Sequence, residues 1–128
     1  MSRASLTQSQ RRLDEQVSAS YVGTLQDQTG TDLPLASLTT ITLTLYDLST
    51  KNIINSRTAQ DVKNTNNVVI DSAGILTWTL QPADNIIVTS TKRAGAYEKH
   101  IALFEYAWAT GANKHEVVLE IRQLDKVS

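Results

Sequence analysis

The side chains in this sequence that could carry chemistry are few and scattered. Its two histidines, His100 and His115, both fall in stretches where apolar and polar residues alternate. His115 shares parity with Val117, Leu119 and Ile121, which places it at the rim of a core-facing row. His100 has the parity of Ala102, Phe104 and Tyr106. If their strands pair through the turn at Thr110-Gly111-Ala112-Asn113, the two imidazoles lie at similar heights in one sheet. A zinc site would still need a third and fourth ligand at about 2.0–2.2 Å. No motif supplies them, so neither a metal site nor a cofactor is expected.

The carboxylates Asp71, Asp84, Glu98, Glu105, Glu116 and Glu120 are each isolated in sequence. A pair of acids for glycoside hydrolysis would have to be brought together entirely by the fold. Asp27, Asp32, Asp47 and Asp71 sit among turn residues, where an aspartate bonds its own backbone. No serine lies in a Gly-x-Ser-x-Gly elbow and no glycine-rich phosphate loop occurs, since Gly30, Gly74, Gly95 and Gly111 all fall in turns. The absence of cysteine excludes disulfides, thiolate metal sites and cysteine nucleophiles. The expectation is a protein with no catalytic residues.

The large aromatic side chains are more informative. Phe104, Tyr106 and Trp108 recur at every second position and share one face of one strand. That row reads as core, packed against Trp78. The competing reading is an exposed aromatic platform of the kind that stacks on sugars or anchors a protein interface, with Tyr106 and Trp108 as the stacking groups.

The elements that must position these residues are strands. Ile41-Thr42-Leu43-Thr44-Leu45-Tyr46 alternates at period two, and the rhythm returns in Trp78-Thr79-Leu80, in Ile101 to Tyr106 and in Val117 to Ile121. Strands are expected over 17–25, 39–46, 53–57, 68–70, 75–80, 97–109 and 114–123, separated by turn-forming segments. Pro82 closes one of them, because proline cannot donate to a central ladder. Residues 58–67 are polar and asparagine-rich and read as an exposed loop. At 128 residues the chain is one domain with enough length to bury a core. Seven or eight short strands at this spacing predict an all-β, antiparallel β-sandwich.

Composition limits the partners. A formal net charge of −1 gives no electrostatic case for nucleic acid, which needs a basic excess. No apolar run approaches the roughly 18 residues of a membrane span. Residues 1–16 are polar and lack the apolar segment of a secretory signal. They form an N-terminal arm ahead of a sandwich over 17–128. Ser5 or Thr7 can cap a short helix over 8–15, although its apolar face is too thin to fold alone. Such an arm either frays or docks on a neighbouring subunit, and docking is the expectation here.

The order of residues resembles a family. Leu43-Thr44-Leu45-Tyr46-Asp47, Ile53-Ile54-Asn55-Ser56-Arg57, the run from Gly74 to Asn85 (Gly-Ile-Leu-Thr-Trp-Thr-Leu-Gln-Pro-Ala-Asp-Asn) and Glu98-Lys99-His100-Ile101-Ala102-Leu103-Phe104-Glu105-Tyr106-Ala107-Trp108 look like small immunoglobulin-like virion proteins of tailed bacteriophages. The same stretches are similar to the immunoglobulin-like N-terminal domain of siphophage baseplate upper proteins. The resemblance covers residues 17–124. It implies an immunoglobulin-like sandwich, a non-enzymatic structural role in the virion and synthesis in the bacterial cytoplasm without a signal peptide. It also implies binding to other virion proteins (major capsid or tail subunits) and to further copies of the chain. The chain ends at Ser128 without the stalk or receptor-binding region of the baseplate proteins, which favours a capsid decoration or accessory subunit over a tail or baseplate adaptor. Expected contact residues are Leu6, Arg11, Arg12 and Leu13 of the arm, loop residues Lys63, Asn64, Asn66 and Asn67, and Lys92 with Arg93. A glycan- or receptor-binding module is the alternative of another class.

Overall fold

The computed structural model describes residues 6–14, 17–88 and 96–122. Among them run strands β1 (Leu6–Asp14), β2 (Ala19–Thr24), β3 (Leu38–Asp47), β4 (Gln60–Asp61), β5 (Val68–Ile70), β6 (Ile75–Leu80), β7 (Tyr97–Trp108) and β8 (Gly111–Arg122). Short 3-10 turns occupy Leu35–Ser37 and Pro82–Asn85. One sheet has the order β1-β8-β7-β3-β4 and the other β2-β6-β5. This is an all-β immunoglobulin-like sandwich: β8-β7-β3-β4 follows the G-F-C-C′ order and β2-β6-β5 the B-E-D order.

Alternation decides which side chains meet between the sheets. Ile41, Leu43 and Leu45 of β3 are buried while Thr42, Thr44 and Tyr46 are half-buried. A register shift between Leu38 and Thr40 inserts an extra residue, so Leu38 also reaches the core three positions before Ile41. From the opposite sheet come Tyr21, Val68, Ile70, Leu76, Trp78 and Leu80, all buried. At the centre the indole of Trp78 meets the ring of Phe104 edge-on, with centroids 5.6 Å apart. In a chain without cysteine, contacts such as this one join the two sheets where no disulfide can.

β7 and β8 pair antiparallel along their whole length, from Tyr97 opposite Arg122 to Trp108 opposite Gly111. Their loop is the two residues Ala109 and Thr110, tighter than the four-residue turn read from the sequence. Gly111 has a steric reason to lack a side chain, because a Cβ there would lie 2.8 Å from the Trp108 ring. The pairing also corrects the expected heights of the histidines. His115 is opposite Phe104 and His100 is opposite Leu119, which separates the two imidazoles by about 13 Å along the strands.

Two other expectations change. Residues 8–15 are not helical: β1 is a strand that pairs parallel with β8, from Leu6 opposite Lys114 to Asp14 opposite Arg122. The free edge of β8 presents unpaired backbone donors and acceptors, and pairing satisfies them where a short polar helix would bury little. At its end, Arg122 Nε donates to Asp14 Oδ1 at 2.8 Å. The segment 53–57 is not a strand either. Only Ile53 bridges to Tyr46. The chain then coils through Asn55 and Ser56 at φ of 54° and 56°, which delivers Ile54 and Arg57 to the interior.

Candidate functional site

Among the described residues, three buried clusters hold much of the polar chemistry. The first joins Arg57 to Asp84. Nε and Nη2 of the guanidinium donate to Oδ1 and Oδ2 of the carboxylate at 2.6 and 3.1 Å. Asp84 sits in the 3-10 turn, where its Oδ2 also accepts the Gln81 N–H at 2.8 Å and its Oδ1 the Asn55 amide at 2.8 Å. Arg57 reaches Gln60 Oε1 at 2.7 Å and the Asn66 carbonyl at 3.2 Å, and lies over the Trp78 ring. Both partners are buried. A carboxylate held by this many donors is a lock on two loops, not a proton shuttle. The sequence presents Asp84 as isolated because its partner lies across the sandwich, on a coil that was read as a strand.

The second cluster surrounds His115. Its Nε2 hydrogen-bonds the Tyr21 hydroxyl, and its Nδ1 has no hydrogen-bond partner among the described residues. Gly23 accommodates this contact, since a Cβ there would approach the Tyr21 hydroxyl to 2.7 Å. Burial pulls the His115 pKa below its ordinary value by penalising the imidazolium. An unfolded chain therefore binds this proton more tightly than the native one. Stability should be at its plateau above about pH 6.5 and fall by at most about 1.4 kcal/mol per pH unit as the pH drops towards the native pKa. Urea midpoints at pH 7.5 and 5.5 test this, and His115→Gln should flatten the difference. An equal acid loss in that variant would place the effect elsewhere. In the same layer, Tyr106 donates to the Gln26 carbonyl at 2.8 Å, and burial raises its pKa.

The third cluster is at the other end of β7. Asp47 of β3 stands directly opposite His100 of β7, and Glu98 precedes His100 on the same face. His100 Nε2 lies 2.6 Å from Glu98 Oε1 and 3.9 Å from Asp47 Oδ1. All three side chains are buried.

The outer faces contrast. On the five-stranded sheet Glu105 and Lys114 form an exposed ion pair at 3.7 Å. Beside it a shallow groove of about 330 Å³ opens where Ala107 and Ala112 are paired opposite each other. On the three-stranded sheet Val22 and Val69 flank Thr77 in register, with Thr24 opposite Ile75 and Ser20 opposite Thr79. Val22, Val69 and Ile75 are 52%, 58% and 38% exposed. No charged side chain occupies these positions.

The sequence-derived contact residues fare unequally. Leu6, Arg11 and Arg12 are in β1, where the backbone is described but their side chains are not. Leu13 packs against the core, being opposite core-facing Ile121. Lys63, Asn64, Asn66 and Asn67 are exposed in the loop between β4 and β5. The three asparagines take left-handed φ of 53°, 53° and 74°. Their side chains hold the loop together: Asn64 Oδ1 accepts the Ile70 N–H, Asn66 donates to the Asp61 carbonyl, and Asn67 Oδ1 accepts from Arg57. Lys92 and Arg93 lie outside the described residues. The aromatic row is core, as expected, and not an exposed platform: Phe104 meets Trp78, Tyr106 is buried with its hydroxyl on Gln26, and half-buried Trp108 packs on the core beside it. The outer three-stranded face was missed, although the alternation through Val22, Thr24 and Ile75, Thr77, Thr79 contained its signal.

No protein-family model and no curated protein matches this chain. Among solved structures, it is similar to the crystal structure of the titin M3 domain, with a TM-score of 0.43 and 8% identity over 95% of each chain.

Proposed function

We propose that this chain is a non-enzymatic structural subunit of a tailed-bacteriophage particle, a capsid decoration or accessory protein that works by presenting a contact surface. The observation that supports this most is the uncharged outer face of β2, β6 and β5, where Val22, Val69 and Ile75 stand exposed among threonines. Such a face loses little on desolvation and gains from apolar burial, so repeated by symmetry it can hold a subunit on a shell through many modest interfaces. The virion setting rests on the resemblance of the strand sequences to immunoglobulin-like phage proteins. Its partners are then major capsid or tail subunits together with further copies of the chain. Non-enzymatic character is supported by the first cluster, in which Arg57 and Asp84 serve the fold. A tail or baseplate adaptor is a second location for the same contact chemistry.

The test uses phage particles whose genome encodes the chain. Purified particles should contain the protein by mass spectrometry. A Val22→Glu/Val69→Glu double variant should fold with stability changed by only about 1 kcal/mol, because both sites face solvent on strands. Its incorporation should fall at least about tenfold, since each desolvated glutamate opposes binding. Wild-type occupancy of the variant would remove this face from the interface. Absence of the wild-type protein from particles would remove the virion role.

A further inference from the structure

We infer that Asp47, Glu98 and His100 form a binding site for a divalent cation of the zinc class. Three potential ligand atoms, one from each side chain, lie within 4.8 Å of one another in the interior. Two of the three separations are 2.6 Å, from His100 Nε2 to Glu98 Oε1, and 3.9 Å, from His100 Nε2 to Asp47 Oδ1. Tetrahedral ligands at about 2.0–2.1 Å from an ion stand about 3.3 Å from each other. The observed distances bracket that value, so an ion is accommodated if Glu98 withdraws and Asp47 advances by roughly 0.6–0.7 Å.

A second observation points to a ligand. Asp47 is fully buried, yet its Oδ1 has no hydrogen-bond partner among the described residues and faces the imidazole. An unpaired carboxylate oxygen in the interior is costly, and a coordinated cation would satisfy it. The other oxygen is already committed: Oδ2 accepts from the Thr50 backbone N–H at 2.8 Å and its hydroxyl at 2.7 Å. These bonds fix the carboxylate plane and leave Oδ1 as a monodentate donor. Glu98 Oε1 accepts the Val88 N–H at 2.7 Å, a backbone contact of the type that orients carboxylate ligands in metal sites. On binding, the ion takes the Nε2 lone pair of a neutral imidazole, whose single N–H hydrogen then resides on Nδ1.

The donor set selects the metal. Two carboxylate oxygens alone would suit magnesium or calcium, but a buried imidazole favours zinc and its transition-metal neighbours. Three protein ligands leave a fourth position for water or a group from a partner. The ion would join the end of β3 to the start of β7.

Isothermal titration of the EDTA-treated full chain with Zn²⁺ should give one site with Kd below about 10 µM, undisturbed by millimolar Mg²⁺. Asp47→Asn and Glu98→Gln should each weaken binding at least about tenfold, with folding checked by circular dichroism. Imidazole ¹⁵N resonances of the wild-type protein should shift at His100, not at His115, so the assignment holds even if a variant fails to fold. Absence of saturable zinc binding would overturn the site. So would unchanged affinity in folded variants, or shifts confined to His115.

Discussion

Asp84→Ala is expected to destabilise the protein by about 3–5 kcal/mol, the range found when one partner of a buried ion pair is removed. The loss is large because the carboxylate serves four donors: Nε and Nη2 of Arg57, the Asn55 amide and the Gln81 N–H. Removing it strands the guanidinium of Arg57, a residue only 2% exposed. It also uncaps the turn Pro82–Asn85 that closes β6. Arg57→Met should cost less than Arg57→Ala, because methionine retains much of the side-chain packing over the indole. The double variant Arg57→Met/Asp84→Ala should recover part of the single-variant loss, since replacing both charges avoids an unpaired one. Urea denaturation followed by circular dichroism measures all four. Additive losses in the double variant would show that the pair is not coupled as the geometry requires.

Trp78→Ala is the second large effect, expected at about 3–5 kcal/mol from lost burial and the cavity left behind. The indole is wholly buried at the middle of β6 and meets Phe104 across the sandwich. It also lies under Arg57, so its loss weakens the neighbouring lock. Domains of this size have a total stability of about 5–15 kcal/mol, which leaves such a variant marginal. Trp78→Phe should retain the edge-on contact and cost less than half as much. Thermal melts by circular dichroism compare the two. A loss below 1.5 kcal/mol for alanine would mean that the sheets close over the gap.

Much of this architecture was legible from side-chain alternation. β3, β6, β7 and β8 could be read because their apolar residues recur at period two over enough positions to fix the face, as with Ile41, Leu43 and Leu45. β1 was hidden because Leu-Thr-Gln-Ser-Gln-Arg-Arg-Leu-Asp has no such row. It is a strand by virtue of an edge supplied from the far end of the chain. The coil at Asn55 and Ser56 was hidden by the β-like run Ile53-Ile54, whose neighbours demand left-handed backbone. The polar clusters were hidden for one further reason. Asp47 reads locally as a turn residue, and it does bond Thr50, but its other oxygen is placed by pairing with β7. Local sequence reports which residues form a strand, whereas register decides which of them meet.

The parallel pairing of β1 with β8 has a kinetic consequence. As the chain leaves the ribosome, β1 has no β8 to pair with until that strand has emerged, and the segment between them must then be closed at an entropic cost. Zipping of this outermost strand thus belongs to the end of folding, after the inner strands have come together. Until then the flank of β8 is open to a neighbouring nascent copy, which is where strand exchange between molecules would begin.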